Sequence, residues 1–315
     1  MPTSTRPLPS LSLALLLVGC AVPLEEIGTA TQLDTSPVPI DAGAYGLDFE
    51  VSDGDQRAYL LYLPLGYDNE RADPYPLVAM FHGLGGGASL LALQLQEAGL
   101  QDLADDQGKI IVFFHGLKDS AVTQLGGWWN LTDVGRDDVL YVEEVLDHLA
   151  DVLNVDETRV FAGGHSMGGA FVHNLGARIP ERFRAIADVA GFYATTGGEP
   201  PPPQDDTDLP VMIVHGVDDT IVPPAGGPSS LAALAGITFR STQYSYNAWY
   251  LNNGCTEPSS VLLGQWWTIV LTDCLDTVSD AFIYLVFVGD HGHSWPTADD
   301  NYDASADMLA FFDMQ

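Results

Sequence analysis

The sequence holds 315 residues, 46% of them hydrophobic and only 17% charged. That balance excludes a disordered chain and suffices for one well-buried α/β domain. Eleven Lys+Arg face 43 Asp+Glu, a formal net charge of −32; such a surface repels nucleic acid and anionic lipid headgroups, and its plain physical role is solubility.

Arg6 precedes an apolar run from Leu11 to Val18 that is too short to span a bilayer and has the shape of a signal-peptide core. Leu17-Val18-Gly19-Cys20 resembles the bacterial lipobox, in which the cysteine thiol is lipidated and becomes the mature N-terminus. The expected organisation is a lipoprotein signal peptide over 1–19, a flexible tether over 20–43 and a catalytic domain over 44–315. The tether is rich in Pro, Thr and acidic residues. The protein is then exported and held to the cell envelope through Cys20 only, or secreted.

Beyond the tether, Leu47–Val51 and Arg57–Leu63 alternate apolar and polar residues across Ser52-Asp53-Gly54-Asp55, which predicts a hairpin. Short continuous apolar runs follow at Leu77–Phe81, Ile110–Phe114, Arg159–Ala162, Ala185–Ala190, Val211–Val214 and Phe282–Val288. Runs of this kind are buried on both faces, as in a parallel sheet covered by helices. Helical spacing marks 137–153 (Val139, Val142, Val145, Leu149, Leu153), 167–178 and 303–312. Trp266 and Trp267 lie in a further strand-like run suited to core or edge packing. The βα alternation predicts one α/β domain. Asp53-Gly54-Asp55, Asp205–Asp208 and Asp299-Asp300 lack the further ligands of a calcium loop and read as solvated turns. Cys255 and Cys274 have no zinc-type spacing and suit a structural staple in an oxidising compartment.

The residues that carry chemistry follow the strands. Gly164-His165-Ser166-Met167-Gly168 sits between a strand and a helix, the context of a nucleophile elbow. A serine there needs a base, and the base needs an orienting carboxylate. Asp218 and Asp219 follow the Val211–Val214 strand; His291 and His293 follow the Phe282–Val288 strand. The order Ser, Asp, His is right, and the pattern alone leaves both pairs open. His82-Gly83-Leu84-Gly85-Gly86-Gly87 follows an earlier strand, where backbone N–H groups can meet developing negative charge. This chemistry requires no cofactor and no metal.

With Tyr59-Leu60-Leu61-Tyr62-Leu63-Pro64, Val78–Gly83, Asn253-Gly254-Cys255, His215-Gly216-x-x-Asp219-x-x-Val222-Pro223 and Gly292-His293-x-Trp295-Pro296, the chain resembles the secreted esterases grouped with poly(3-hydroxybutyrate) depolymerases and bacterial feruloyl esterases. The resemblance implies an α/β-hydrolase fold and a serine esterase working through an acyl-enzyme on Ser166. It selects Asp219 and His293 from their pairs, assigns the oxyanion amides to Leu84 and Met167, and pairs Cys255 with Cys274. Gly127-Trp128-Trp129-Asn130 is similar to the family's aromatic stretch near the site. Trp128, Trp129 and Trp295 flank the site as candidate substrate contacts together with His82, which is also expected to shape the oxyanion loop. Short hydroxyacyl or aromatic acyl esters are the expected substrates. The family alternative is a serine peptidase of the same fold. An alternative of another class is a lipid-anchored binding protein without chemistry, against which the presence of all three triad members speaks. The elbow departs from many relatives in carrying His165, expected to pack behind the site, and Met167.

Overall fold

The computed structural model describes residues 38–117, 127, 129–131, 137–193, 208–230, 238–255, 260–274 and 282–315. The leader, Cys20, most of the tether and Trp128 lie outside the described residues. Ten strands form one sheet: β1 (Gly43–Glu50), β2 (Gln56–Leu63), β3 (Tyr75–Phe81), β4 (Ile110–Phe114), β5 (Val155–His165), β6 (Ala185–Val189), β7 (Val211–Gly216), β10 (Ser260–Leu263), β11 (Trp267–Asp273) and β12 (Phe282–Val288). A separate two-stranded pair joins β8 (Gly227–Pro228) to β9 (Thr238–Phe239).

The sheet order is β1-β2-β4-β3-β5-β6-β7-β12-β11-β10. The stretch β4-β3-β5-β6-β7-β12 is parallel, and antiparallel strands flank it on both sides. β3, β4, β6 and β7 are buried at every position, which is why their sequences lack alternation. β1 and β2 do alternate, and their turn closes through Gly54 N to Val51 O and Val51 N to Asp55 O.

Two cores lie on opposite faces. Along β3, Leu77, Ala79 and Phe81 join one core while Val78 and Met80 join the other, the period-two rule of a strand. Helices α3 (Asp138–Val152), α4 (Met167–Arg178) and α5 (Thr242–Asn252) cover the first face with residues such as Val142, Phe171 and Trp249. Helices α1 (Ala88–Glu97), α2 (Leu100–Gln107) and α6 (Ala304–Asp313) cover the second with Leu95, Leu100 and Met308. This is the single-domain α/β-hydrolase arrangement. Asp137 caps α3 by accepting from the amides of Val139 and Leu140, so the helix starts one residue later than its apolar period suggests.

Helices α1, α2 and α5 and strand β10 are not prefigured by a clean period. α5, for example, mixes Tyr, Trp, Asn and Gln, and its identity as a helix rests on burial of Tyr246 and Trp249. Trp267 opens β11, while Trp266 remains 36% exposed at its start. Cys255, just past α5, is disulfide-bonded to Cys274, just past β11.

Candidate active site

β5 ends at His165 and α4 begins at Met167, leaving Ser166 alone to reverse the chain. It does so at φ 58°, ψ −116°, a conformation that costs a non-glycine residue on the order of 1–3 kcal/mol. The flanking glycines answer to contact distance. A Cβ on Gly164 would lie 2.3 Å from the Gly168 carbonyl oxygen, and one on Gly168 would lie 2.0 Å from the Phe81 carbonyl oxygen. The Ser166 amide donates to Val189 O, which leaves Met167 as the first amide of the helix.

The Ser166 hydroxyl meets His293 Nε2 at 2.7 Å, and His293 Nδ1 meets Asp219 Oδ2 at 2.7 Å. A carboxylate only accepts, so Nδ1 carries the proton and Nε2 receives the serine O–H. His293 is supplied by the loop after β12 and Asp219 by the loop after β7, both at the carboxyl end of the parallel strands. Within the pairs left open by pattern, Asp218 is exposed and Asp219 is 3% exposed. His291 turns away to the Ser294 carbonyl at 2.9 Å.

Asp219 is held from every side. Its Oδ1 accepts from the amides of Ile221 and Val222, both at 2.8 Å. Burial alone would raise its pKa. Hydrogen bonds from His215 and His293 outweigh that and hold the carboxyl well below the usual range.

The glycine-rich loop after β3 is set by His82. Gly116 N donates to His82 Nε2 at 2.9 Å, so Nδ1 bears the proton and donates to Gly83 O at 2.7 Å. Gly86 N reaches the same carbonyl at 3.1 Å. In a trans peptide the N–H points opposite to the C=O, so anchoring Gly83 O aims the Leu84 amide the other way. The loop abuts the elbow: a Cβ on Gly83 would lie 3.6 Å from Ser166 Oγ. Burial lowers the His82 pKa to about 4 and keeps the imidazole neutral.

Three expected substrate contacts are corrected by burial. His82 is 1% exposed, Trp129 0% and Trp295 2%, so none offers a surface to a ligand. Trp129 instead donates its indole N–H to His82 O at 2.8 Å and stacks on Phe171 at 4.9 Å, bracing the oxyanion loop from below. Trp295 donates to Ser305 Oγ at 3.1 Å within the second core. Nearness to the site in sequence does not make these tryptophans line it, because a large ring gains more from complete burial.

His165 does pack behind the site. Its Nε2 donates to the His293 carbonyl at 3.0 Å, and its ring lies 5.5 Å from that of His293. Burial, then the neighbouring imidazole, lowers its pKa to about 4. Two further buried histidines lie behind the site. His215 lies behind Asp219, and His173 accepts from Trp249 Nε1 at 2.9 Å while donating Nε2–H to Asp188 at 3.0 Å. Asp188 also receives Gly191 N, pinning the segment after β6 beneath α4. Among the described residues, no cluster of three or more His, Cys, Asp or Glu could hold a metal ion.

Comparison with known proteins agrees with this frame. The family described as phospholipase/carboxylesterase matches residues 69–247. Feruloyl esterase B of Piromyces equi is 28% identical over 209 residues, 64% of this chain and 37% of that protein. Feruloyl esterase C of Emericella nidulans is 28% identical over 214 residues, 65% of this chain and 64% of that protein. The chain thus spans less than two thirds of either relative. Among solved structures, acetyl xylan esterase from Aspergillus awamori superposes with a TM-score of 0.58 at 16% identity, covering 86% of this chain and 100% of that one, a likeness of fold.

Proposed function

Because the chain belongs to the phospholipase/carboxylesterase family, we propose that it is a carboxylic-ester hydrolase that acts through an acyl-enzyme on Ser166. One observation carries the reading: the hydrogen-bonded line Ser166–His293–Asp219 at a strained strand-to-helix turn. His293 takes the Ser166 proton as Oγ attacks the ester carbonyl carbon. The tetrahedral oxyanion receives the amides of Leu84 and Met167, worth about 3 kcal/mol each in such sites. His293 then returns its proton to the leaving alkoxide, and water attacks the acyl-enzyme by the same route in reverse. Asp219 keeps Nδ1 protonated and offsets the imidazolium charge.

The substrates proposed are short hydroxyacyl or aromatic acyl esters. The support is the names of the relatives, feruloyl and acetyl xylan esterases, together with the resemblance of the quoted motifs to those of polyhydroxybutyrate depolymerases. The domain over 44–315 is proposed to act outside the cytoplasm, anchored by a lipid on Cys20 or released, with no nucleic-acid partner. A panel of acetyl, butyryl, feruloyl and hydroxybutyrate-oligomer esters run beside Ser166→Ala tests the reading. Turnover by wild type and none by Ser166→Ala is expected; equal rates would reject it.

A further inference from the structure

Behind the candidate triad stands a fourth buried group. His215 is the penultimate residue of β7 and only 1% exposed. Its Nε2 lies 2.8 Å from Val222 O and 3.3 Å from Asp219 Oδ2. A carbonyl only accepts, so Nε2 carries the proton and donates it to Val222 O, with Asp219 Oδ2 close beside the same nitrogen. Asp219 Oδ2 is therefore flanked by the Nε2–H of His215 at 3.3 Å on one side and hydrogen-bonded to His293 at 2.7 Å on the other. The same imidazole closes the turn: Val222 gives its N–H to Asp219 Oδ1 and its carbonyl to His215.

The opposite edge of the ring is unusual. His215 Nδ1 is buried and has no hydrogen-bond partner among the described residues. An unpaired buried acceptor destabilises a fold, and an apolar side chain of similar size would avoid that penalty. Packing alone therefore gives no reason for histidine at 215. The reason lies on the Nε2 edge, which only a donor can fill.

We propose that His215 is a positioning residue for the catalytic carboxylate, holding Asp219 Oδ2 toward His293 and limiting how strongly that oxygen holds the protonated base. The proposal rests on the reading of Ser166, His293 and Asp219 as a triad. The groups facing Asp219 are His215, His293 and the amides of Ile221 and Val222; those facing His293 are Ser166, Asp219 and His165. Without the His215 donor, Oδ2 attracts the His293 imidazolium more strongly, and the carboxylate is freer to rotate out of line. The base then loses its proton at higher pH, and turnover falls with little change in substrate binding.

The test uses His215→Phe, which keeps bulk and removes the donor, and His215→Gln, whose amide N–H restores it. Short-ester kinetics across pH, thermal melting and Ser166→Ala are measured together. His215→Phe should stay folded but melt below the wild-type temperature because Val222 O loses its donor, lose about tenfold or more in kcat with KM nearly constant, and show the acid limb of kcat/KM at higher pH. His215→Gln should regain most of kcat and the wild-type limb. His215→Phe with wild-type kcat and limb, a loss of kcat that His215→Gln does not relieve, or loss of the fold in both variants would overturn the proposal. Activity surviving in Ser166→Ala would instead reject the triad itself.

Discussion

The α-carbon of Gly168 lies so close to Phe81 that a methyl group there would stand 2.0 Å from the Phe81 carbonyl oxygen. This contact locks the start of α4 against the end of β3, and so locks the serine turn against the loop that carries Leu84. Gly168→Ala should destabilise the domain by about 1–3 kcal/mol and reduce activity on every ester, because the two segments must separate. Gly46→Ala is the control, since a Cβ there meets nothing within 4 Å; its stability should change by less than about 0.5 kcal/mol. Chemical denaturation of the two variants makes the comparison.

Acid should weaken the fold in a defined window. His82 and His165 have pKa values lowered to about 4, whereas an unfolded histidine titrates near 6.5. The unfolded chain therefore binds more protons between those limits, so stability is complete above about pH 6.5 and is lost as pH falls toward 4. Asp219 has a depressed pKa, so its contribution persists above about pH 4 and is lost only at lower pH. Urea midpoints at pH 7 and 4.5 check this, with a shallower pH slope expected for His82→Gln.

The Cys255–Cys274 disulfide closes a loop with a sequence separation of 19. Replacing both cysteines by serine should cost about 3 kcal/mol by loop-closure entropy. A shift of the urea midpoint, with activity retained below it, is the expected result.

The lipid anchor proposed at Cys20 makes membrane association depend on that residue. Cys20→Ser should move the protein from the membrane fraction to the soluble fraction, or leave it unprocessed. Unchanged fractionation of that variant speaks against the lipoprotein reading.

Much of the frame was legible in the sequence because its signals are local. The continuous apolar runs within β3, β4 and β7 need no partner to be recognised, and a glycine-flanked serine between strand and helix marks its own turn. What stayed hidden depends on contact between distant residues. Trp129 and Trp295 are adjacent to site residues in sequence, yet each finds a hydrogen-bond partner in the interior, Trp129 with His82 and Trp295 with Ser305. His82 opens the glycine loop in sequence, and its hydrogen bonds to Gly83 and Gly116 make it the brace that shapes that loop rather than a substrate contact. The choice of Asp219 over Asp218 becomes physical only through burial and the converging His215 and His293 donors.

Acyl chain length should separate the proposed esterase from a lipase working at an oil surface. The sequence of Gly191–Leu209, between β6 and β7, carries Gly197-Gly198-Glu199 and Pro200–Pro203 and is too polar and proline-rich for the pattern of an amphipathic lid; residues 194–207 lie outside the described residues. Butyryl and feruloyl esters should be cleaved faster than sixteen-carbon esters, measured as kcat/KM on matched alcohols.

The central claim is that Ser166 is the nucleophile and His293 its base. The most direct measurement is labelling with a fluorophosphonate probe followed by peptide mass spectrometry, on wild type, His293→Ala and His291→Ala. One adduct on Ser166 is expected in wild type and in His291→Ala, with labelling at least about a thousandfold slower in His293→Ala. An adduct on another serine, or full-rate labelling of Ser166 without His293, would contradict it.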